Sequence, residues 1–160
     1  MTPDPLTDTK PVLPEWASGL GLRPHPEGGW YAETWRSPLE LPGEGLGGYP
    51  GRRSLGTAIL FLLLPGERSA WHRVRSAELW FLHRGRLELS LGGDAASPVS
   101  GTGDDRSERQ VLGLDVAAGE RPQLLVPPNH WQAARPLDDK ACLVSCVVVP
   151  GFDFADLTLA

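Results

Sequence analysis

From residue 54 onward the chain alternates short apolar runs with turn-forming clusters. The runs cover residues 54–64, 69–74, 78–83, 87–91, 110–114, 123–126, 130–134 and 141–149, with "PGE", "RGR", "GGDAASP", "AAGERP", "PPN" and "PLDDK" between them. Most are too short for a stable helix, and several alternate apolar with polar positions, as strands with one buried face do. Strands at this spacing predict an all-β sandwich or closed barrel. Upstream, "WYAETWRS" (30–37) reads as a further strand, with Tyr31, Glu33 and Trp35 on one face and Trp30, Ala32, Thr34 and Arg36 on the other. A short helix is expected near residues 15–20, ending at Gly21. Residues 38–53 read as a Gly/Pro-rich loop, and 92–108 as an acidic, low-complexity one. The Pro-rich segment 1–14 reads as a mobile lead-in and 15–160 as one domain.

Composition narrows the partners. The 19 glycines and 16 prolines favour turns over long helices. A net charge of −5, with no Lys/Arg cluster, argues against a nucleic-acid partner. The longest apolar run, "AILFLLLP", is too short to span a bilayer, and the N-terminus lacks the basic and apolar sections of a signal peptide. Cys142 and Cys146 on one strand would lie about 13 Å apart at about 3.3 Å per residue, too far for a disulfide. Free thiols suit a reducing cytoplasm.

The chemistry concentrates in "GERSAWHRVRSAELWFLHRG", Gly66 to Gly85. Read as a hairpin turning at "RSA", it puts His72 and Val74 on one face, and Glu78, Trp80 and Leu82 on the inward face of the return strand. An imidazole and a carboxylate on facing strands can share a proton or a metal ion. His130 and Gln132 share a face farther along, and Glu33 would add a second carboxylate if it points inward. His83 reads as surface, His25 in "RPHPEGG" has no evident role, and Trp71 and Trp131 have the parity of residues packed outside the barrel. No serine lies in a nucleophile-elbow setting.

The spacing Gly66-x5-His72-x-Val74-x3-Glu78-x6-Gly85 resembles the first cupin motif, with Val74 where that motif has its second histidine. "PPNHWQAA" resembles the second, with Pro127 and Asn129 at the Pro and Gly positions and Gln132 in place of the last histidine. Together with "LRPHPEGGWYAETWRS", "GERPQLLVPPNHWQAARP" and "VVPGFDFADLTLA", these blocks resemble the DUF985 group of cupins, cupin family 5. The resemblance implies a double-stranded β-helix (jelly-roll) cupin barrel with short N-terminal helical or loop additions. It also implies a small-molecule pocket in the barrel mouth, and a homodimer.

The expected function is binding of a small polar, sugar-like or hydroxylated molecule, with metal-independent isomerase or epimerase chemistry. His72 and Glu78 would be catalytic, and Glu33, Trp80, His130 and Gln132 would bind substrate. Two alternatives stay open. One is a divalent transition metal on His72, Glu78 and Gln132, a weak ligand set for such ions. The other is a binding module without turnover.

Overall fold

The computed structural model describes residues 12–43, 47–99 and 108–160. Residues 1–11 of the expected lead-in and 100–107 of the acidic loop lie outside them. A 3-10 helix, Glu15–Leu20, opens the described chain and stops at Gly21, whose φ of 66° is the left-handed conformation glycine adopts freely. Thirteen strands follow among the described residues: β1 (Arg23–Pro24), β2 (Trp30–Arg36), β3 (Glu40–Leu41), β4 (Arg53–Ser54), β5 (Thr57–Leu63), β6 (His72–Val74), β7 (Ala77–Arg84), β8 (Leu87–Leu91), β9 (Glu108–Leu112), β10 (Gln123–Val126), β11 (Trp131–Pro136), β12 (Cys142–Val149) and β13 (Leu157–Leu159). No helix among them is long and apolar enough to cross a membrane.

The strands form two antiparallel sheets, one ordered β1-β2-β5-β12-β7-β10 and the other β13-β6-β11-β8-β9, with β3 and β4 as a separate pair. This is the expected jelly roll, a double-stranded β-helix. Alternation builds its core. In β12 every second residue is buried, Cys142, Val144, Cys146 and Val148, and the first three pack with Phe61, Leu63, Trp80, Leu87, Leu89 and Leu112. The two cysteines are free, on the same inward face with Val144 between them.

The segment read as a hairpin is not one. β6 pairs with β11 and β13, whereas β7 pairs with β10 and β12, so the short link at Arg75–Ser76 arches from one sheet to the other. His72 and Glu78 therefore face each other across the interior rather than along a ladder. β2 departs from simple alternation too. Its register against β5 slips between Glu33 and Trp35, a bulge with Thr34 as the extra residue. Parity inverts there: Trp35 turns to solvent at 51% exposure, and Arg36 joins Tyr31 and Glu33 on the cavity side.

The C-terminal segment closes the structure over this end. Its 3-10 turn Phe154–Asp156 buries Asp156, which accepts from Arg53 Nε at 2.7 Å and Nη2 at 2.9 Å, with Arg75 Nε 3.4 Å away. β13 then pairs with β6, opposite His72. Removing one member of a buried ion pair costs about 3–5 kcal/mol, because the partner is left charged and dry. Arg53→Met and Asp156→Leu are each accordingly expected to lower the melting temperature strongly, and the double variant Arg53→Met/Asp156→Leu to recover most of the loss. Additive losses in this cycle, read by thermal melts, would mean that the pair does not anchor the segment.

Candidate functional site

A cavity of about 210 Å³ lies between the sheets. Its floor is polar and buried: His72 from β6, Glu78 from β7, Cys146 from β12 and Glu27 from the loop joining β1 to β2. Tyr31, Ile59, Phe61, Val74 and Val148 line its sides, and Arg23, Glu33, Arg36 and Phe154 stand at its exposed end.

Glu27 and His25 are the residues that sequence reading missed. They sit in "HPEGG", a tight loop in which Gly28 N–H donates to His25 O at 3.0 Å and His25 N–H to Gly29 O at 2.9 Å. Gly28 and Gly29 have φ values of 99° and 73°, and a Cβ at Gly29 would stand 2.9 Å from Leu62 O and 2.8 Å from the Leu63 side chain. Only glycine lets the loop press this deeply against β5. Ala70 N–H, donating to Glu27 O at 2.6 Å, ties the loop to the segment before β6. The sequence signal was a glutamate held between a proline and two glycines, chemistry set by backbone geometry rather than periodicity.

The hydrogen bonds assign the protons. His72 Nδ1 is 2.8 Å from Ala70 O, and a carbonyl only accepts, so Nδ1 carries a proton. Nε2 then points its lone pair at Glu27 Oε2, 3.1 Å away. Glu27 completes the contact by keeping its own proton and donating it. Burial pushes its carboxyl well above the usual carboxylate range, and the nearby charge of Glu78 pushes it further. Burial also lowers His72 to about 4. On the other side, Glu27 N–H donates to His25 Nδ1 at 3.3 Å, which leaves that imidazole neutral as well, and burial lowers it to about 4.

Glu78 is held differently. The Trp80 indole, which can only donate, gives its N–H to Gln132 Oε1 at 3.1 Å. That orientation turns the Gln132 amide nitrogen toward Glu78 Oε2, at 2.5 Å. Burial raises the Glu78 pKa, against the opposing pull of the Gln132, Cys146 and Trp80 donors. Of the two carboxyls, Glu78 is the one surrounded by donors and so ionises first.

The expected site residues separate accordingly. His72 and Glu78 are together on the floor, bridged to the opposite sheet by a fully buried Gln132. Trp80 lies behind the floor as the donor that orients Gln132, not as a cavity wall. Glu33 lines the cavity but is engaged by Arg36, whose Nε and Nη2 donate to its two oxygens at 2.9 and 2.7 Å. His130 is placed elsewhere: it precedes β11, bonds to Pro128 O at 3.1 Å, and does not line the cavity. The strand begins one residue later, at Trp131, so alternation does not extend back to it. Asn129, at the motif's glycine position, holds φ at 60°, a conformation asparagine tolerates better than most residues.

These residues do not fit the metal ion that the motif resemblance implies. Gln132 does not line the cavity, and its Oε1 faces the Trp80 indole; Val74 offers no donor; and His72 Nε2 is directed at Glu27. Among the described residues, no group of three or more His, Cys, Asp or Glu side chains is arranged to hold a metal.

With this geometry in hand, comparison with known proteins is decisive for the family. The model of the cupin superfamily (DUF985) matches residues 14–160. The chain belongs to this family. The uncharacterized protein YML079W of Saccharomyces cerevisiae is 32% identical over 167 residues, covering 98% of this chain and 77% of that one. The crystal structure of protein SO0799 from Shewanella oneidensis is 34% identical with a TM-score of 0.75, covering 91% of this cupin and 82% of its own chain. An uncharacterized Klebsiella pneumoniae protein with a double-stranded β-helix domain shares the fold at 15% identity and a TM-score of 0.52, over 87% of this chain and 90% of its own.

The buried groups of this cupin make opposing contributions to stability. His72 at about 4 refuses a proton that the unfolded chain binds below 6.5, so stability is lost as pH falls through that interval, by up to about 3 kcal/mol. Glu27 keeps a proton that the unfolded chain releases above 4.5, so stability is lost as pH rises. Relative to wild type, His72→Gln is expected to gain stability on acidification and Glu27→Gln on alkalinisation. Urea melts at about pH 4.5, 6 and 7.5 check both slopes, and parallel curves for wild type and variants would contradict the proton assignment.

Proposed function

We propose that this cupin is an acid/base enzyme that relocates a proton on a small polar molecule, hydroxylated or sugar-like, without a metal ion. The observation that carries this reading is the contact of Glu27 Oε2 with His72 Nε2, 3.1 Å apart, on a floor shared with Glu78. Two carboxyls whose surroundings separate their protonation states form a general acid and a general base in one site. Glu78, kept in place by Gln132, is the base. Glu27, with His72 accepting its proton's hydrogen bond, is the acid.

The chemistry follows for a substrate with a C–H bond beside a carbonyl. Glu78 takes the carbon-bound proton as the electron pair moves toward the carbonyl oxygen, and that oxygen receives the proton held by Glu27. Where that carbon also bears a hydroxyl, Glu78 returns its proton to the former carbonyl carbon while the hydroxyl proton passes back to Glu27, which isomerises the substrate and restores both carboxyls to their starting states. Val74, Ile59, Phe61 and Val148 keep the site partly apolar, which strengthens interactions with the charge that develops.

Solvent-proton exchange tests this without knowledge of the product. In D2O, wild-type protein is expected to wash deuterium into at least one member of a panel of aldoses, ketoses and hydroxy acids, followed by NMR. Glu78→Gln and Glu27→Gln should each slow the exchange by about 10²- to 10⁴-fold, the usual contribution of a positioned acid or base. Binding of a panel member with no exchange in wild type would make the protein a binding module instead.

We also propose that the protein pairs with a second copy through the outer face of the six-stranded sheet. An apolar row, Leu125, Leu79, Val147 and Ala58, crosses four neighbouring strands there, with Leu125 54% exposed. Light scattering after size exclusion is expected to give a dimer mass, and Leu79→Lys a monomer. A monomeric wild type sinks this assembly.

A further inference from the structure

We propose that the molecule bound in this cavity carries an anionic group, carboxylate or phosphate, received by Arg23, an inference that rests on the reading above that the cavity takes a small polar substrate. Four charged side chains line its exposed end: Arg23, Glu33, Arg36 and Asp153. Three are already engaged. Arg36 is held by both oxygens of Glu33 and also donates to Phe152 O at 3.1 Å. Asp153 accepts from Ala155 N–H at 2.8 Å and lies in the field of Arg36 and Arg53.

Arg23 differs from these. It stands opposite Tyr31 in the β1–β2 pair, with its guanidinium 4.9 Å from that ring's centroid. Among the described residues no carboxylate reaches it and no acceptor takes its N–H groups. Stacking on an aromatic face holds the planar head in place without consuming its donors, a setting in which arginine binds carboxylate or phosphate through paired hydrogen bonds.

The Tyr31 ring continues inward to His25, edge-on at 4.6 Å, and His25 contacts Glu27. Arg23, Tyr31, His25 and Glu27 thus form one line from the exposed end to the acid. A ligand anchored at Arg23 would reach the floor with its uncharged end. The volume of about 210 Å³ holds about seven waters at about 30 Å³ each, which suits something the size of a sugar acid or sugar phosphate.

Calorimetric titration with paired probes tests this: D-glucuronate against D-glucose, D-galacturonate against D-galactose, and D-glucose 6-phosphate against D-glucose. An anionic probe is expected to bind at least about tenfold tighter than its neutral partner, the scale of a charge-assisted hydrogen-bond pair. A preference confined to the uronates identifies a carboxylate ligand, and one confined to the phosphate identifies a phosphate. Arg23→Gln should erase the preference while Arg23→Lys keeps part of it. Arg121→Gln, an equal charge loss on a surface that does not line this cavity, should leave it intact. Equal affinities, no binding of any anion, or a preference that survives Arg23→Gln overturns the proposal. Glu78→Gln separates the two readings, since it should retain the preference and lose exchange. Preference without exchange in wild type sinks acid/base catalysis alone, and exchange without preference sinks the Arg23 site alone.

Discussion

An indole N–H can only donate, and in this barrel the rest of the site depends on that restriction. Trp80 is buried between the sheets and must give its proton to something. Gln132, on the opposite sheet and fully buried, supplies the oxygen and is thereby left with its amino group facing Glu78. A charged or polar side chain on an apolar sheet face is costly unless it is paired. Here three such side chains satisfy one another in a fixed order across the core, and the carboxylate at the end of the chain faces the cavity. With glutamine at this position, the second motif supplies a donor to the Glu78 carboxylate where a histidine would supply a ligand to a metal.

Glu27, the other buried carboxyl, is held by different means, and the difference has consequences. Glu78 sits in mid-sheet, paired with Val126 on one side and Val148 on the other, so its position is set by the core. Glu27 sits on a loop, and its position is set by backbone conformation at Gly28 and Gly29 and by the bond from Ala70 N–H. Substitutions in the barrel therefore act on Glu78 through packing, whereas a side chain at Gly29 would move Glu27 by pushing the loop off β5. His72 joins the two systems, since its Nδ1 bonds to the carbonyl of the residue that pins the loop.

How much of this was legible in the sequence follows from the same physics. Alternation marked β5, β7, β8, β10 and β12, because burying one face of a strand forces a period of two. His72, Glu78 and Gln132 were legible because they lie on strands at characteristic spacings. Glu27 and His25 were not, since a loop carries no period and its shape comes from two glycines with positive φ. Glu33 and Arg36 were assigned to opposite faces because one inserted residue, Thr34, inverts parity in a way alternation does not reveal. The turn at "RSA" was read as a hairpin because a short link between two strands usually is one; whether it closes a ladder or arches between sheets depends on which distant strands claim each partner, here β11 and β13 for one and β10 and β12 for the other.

The replacement at Val74 completes the argument. A second imidazole there would give the floor a further basic nitrogen, able to take the Glu27 proton or to recruit a cation. Valine removes that competitor and leaves His72 Nε2 as the acceptor within reach of the Glu27 proton. With Glu78 engaged by donors and His25 Nδ1 accepting from the Glu27 backbone, His72 Nε2, at 3.1 Å, is the nearer imidazole nitrogen to the Glu27 carboxyl. The two substitutions that depart from the motif thus act together. Gln132 donates to the Glu78 carboxylate, and Val74 adds neither a ligand nor a proton acceptor to the floor.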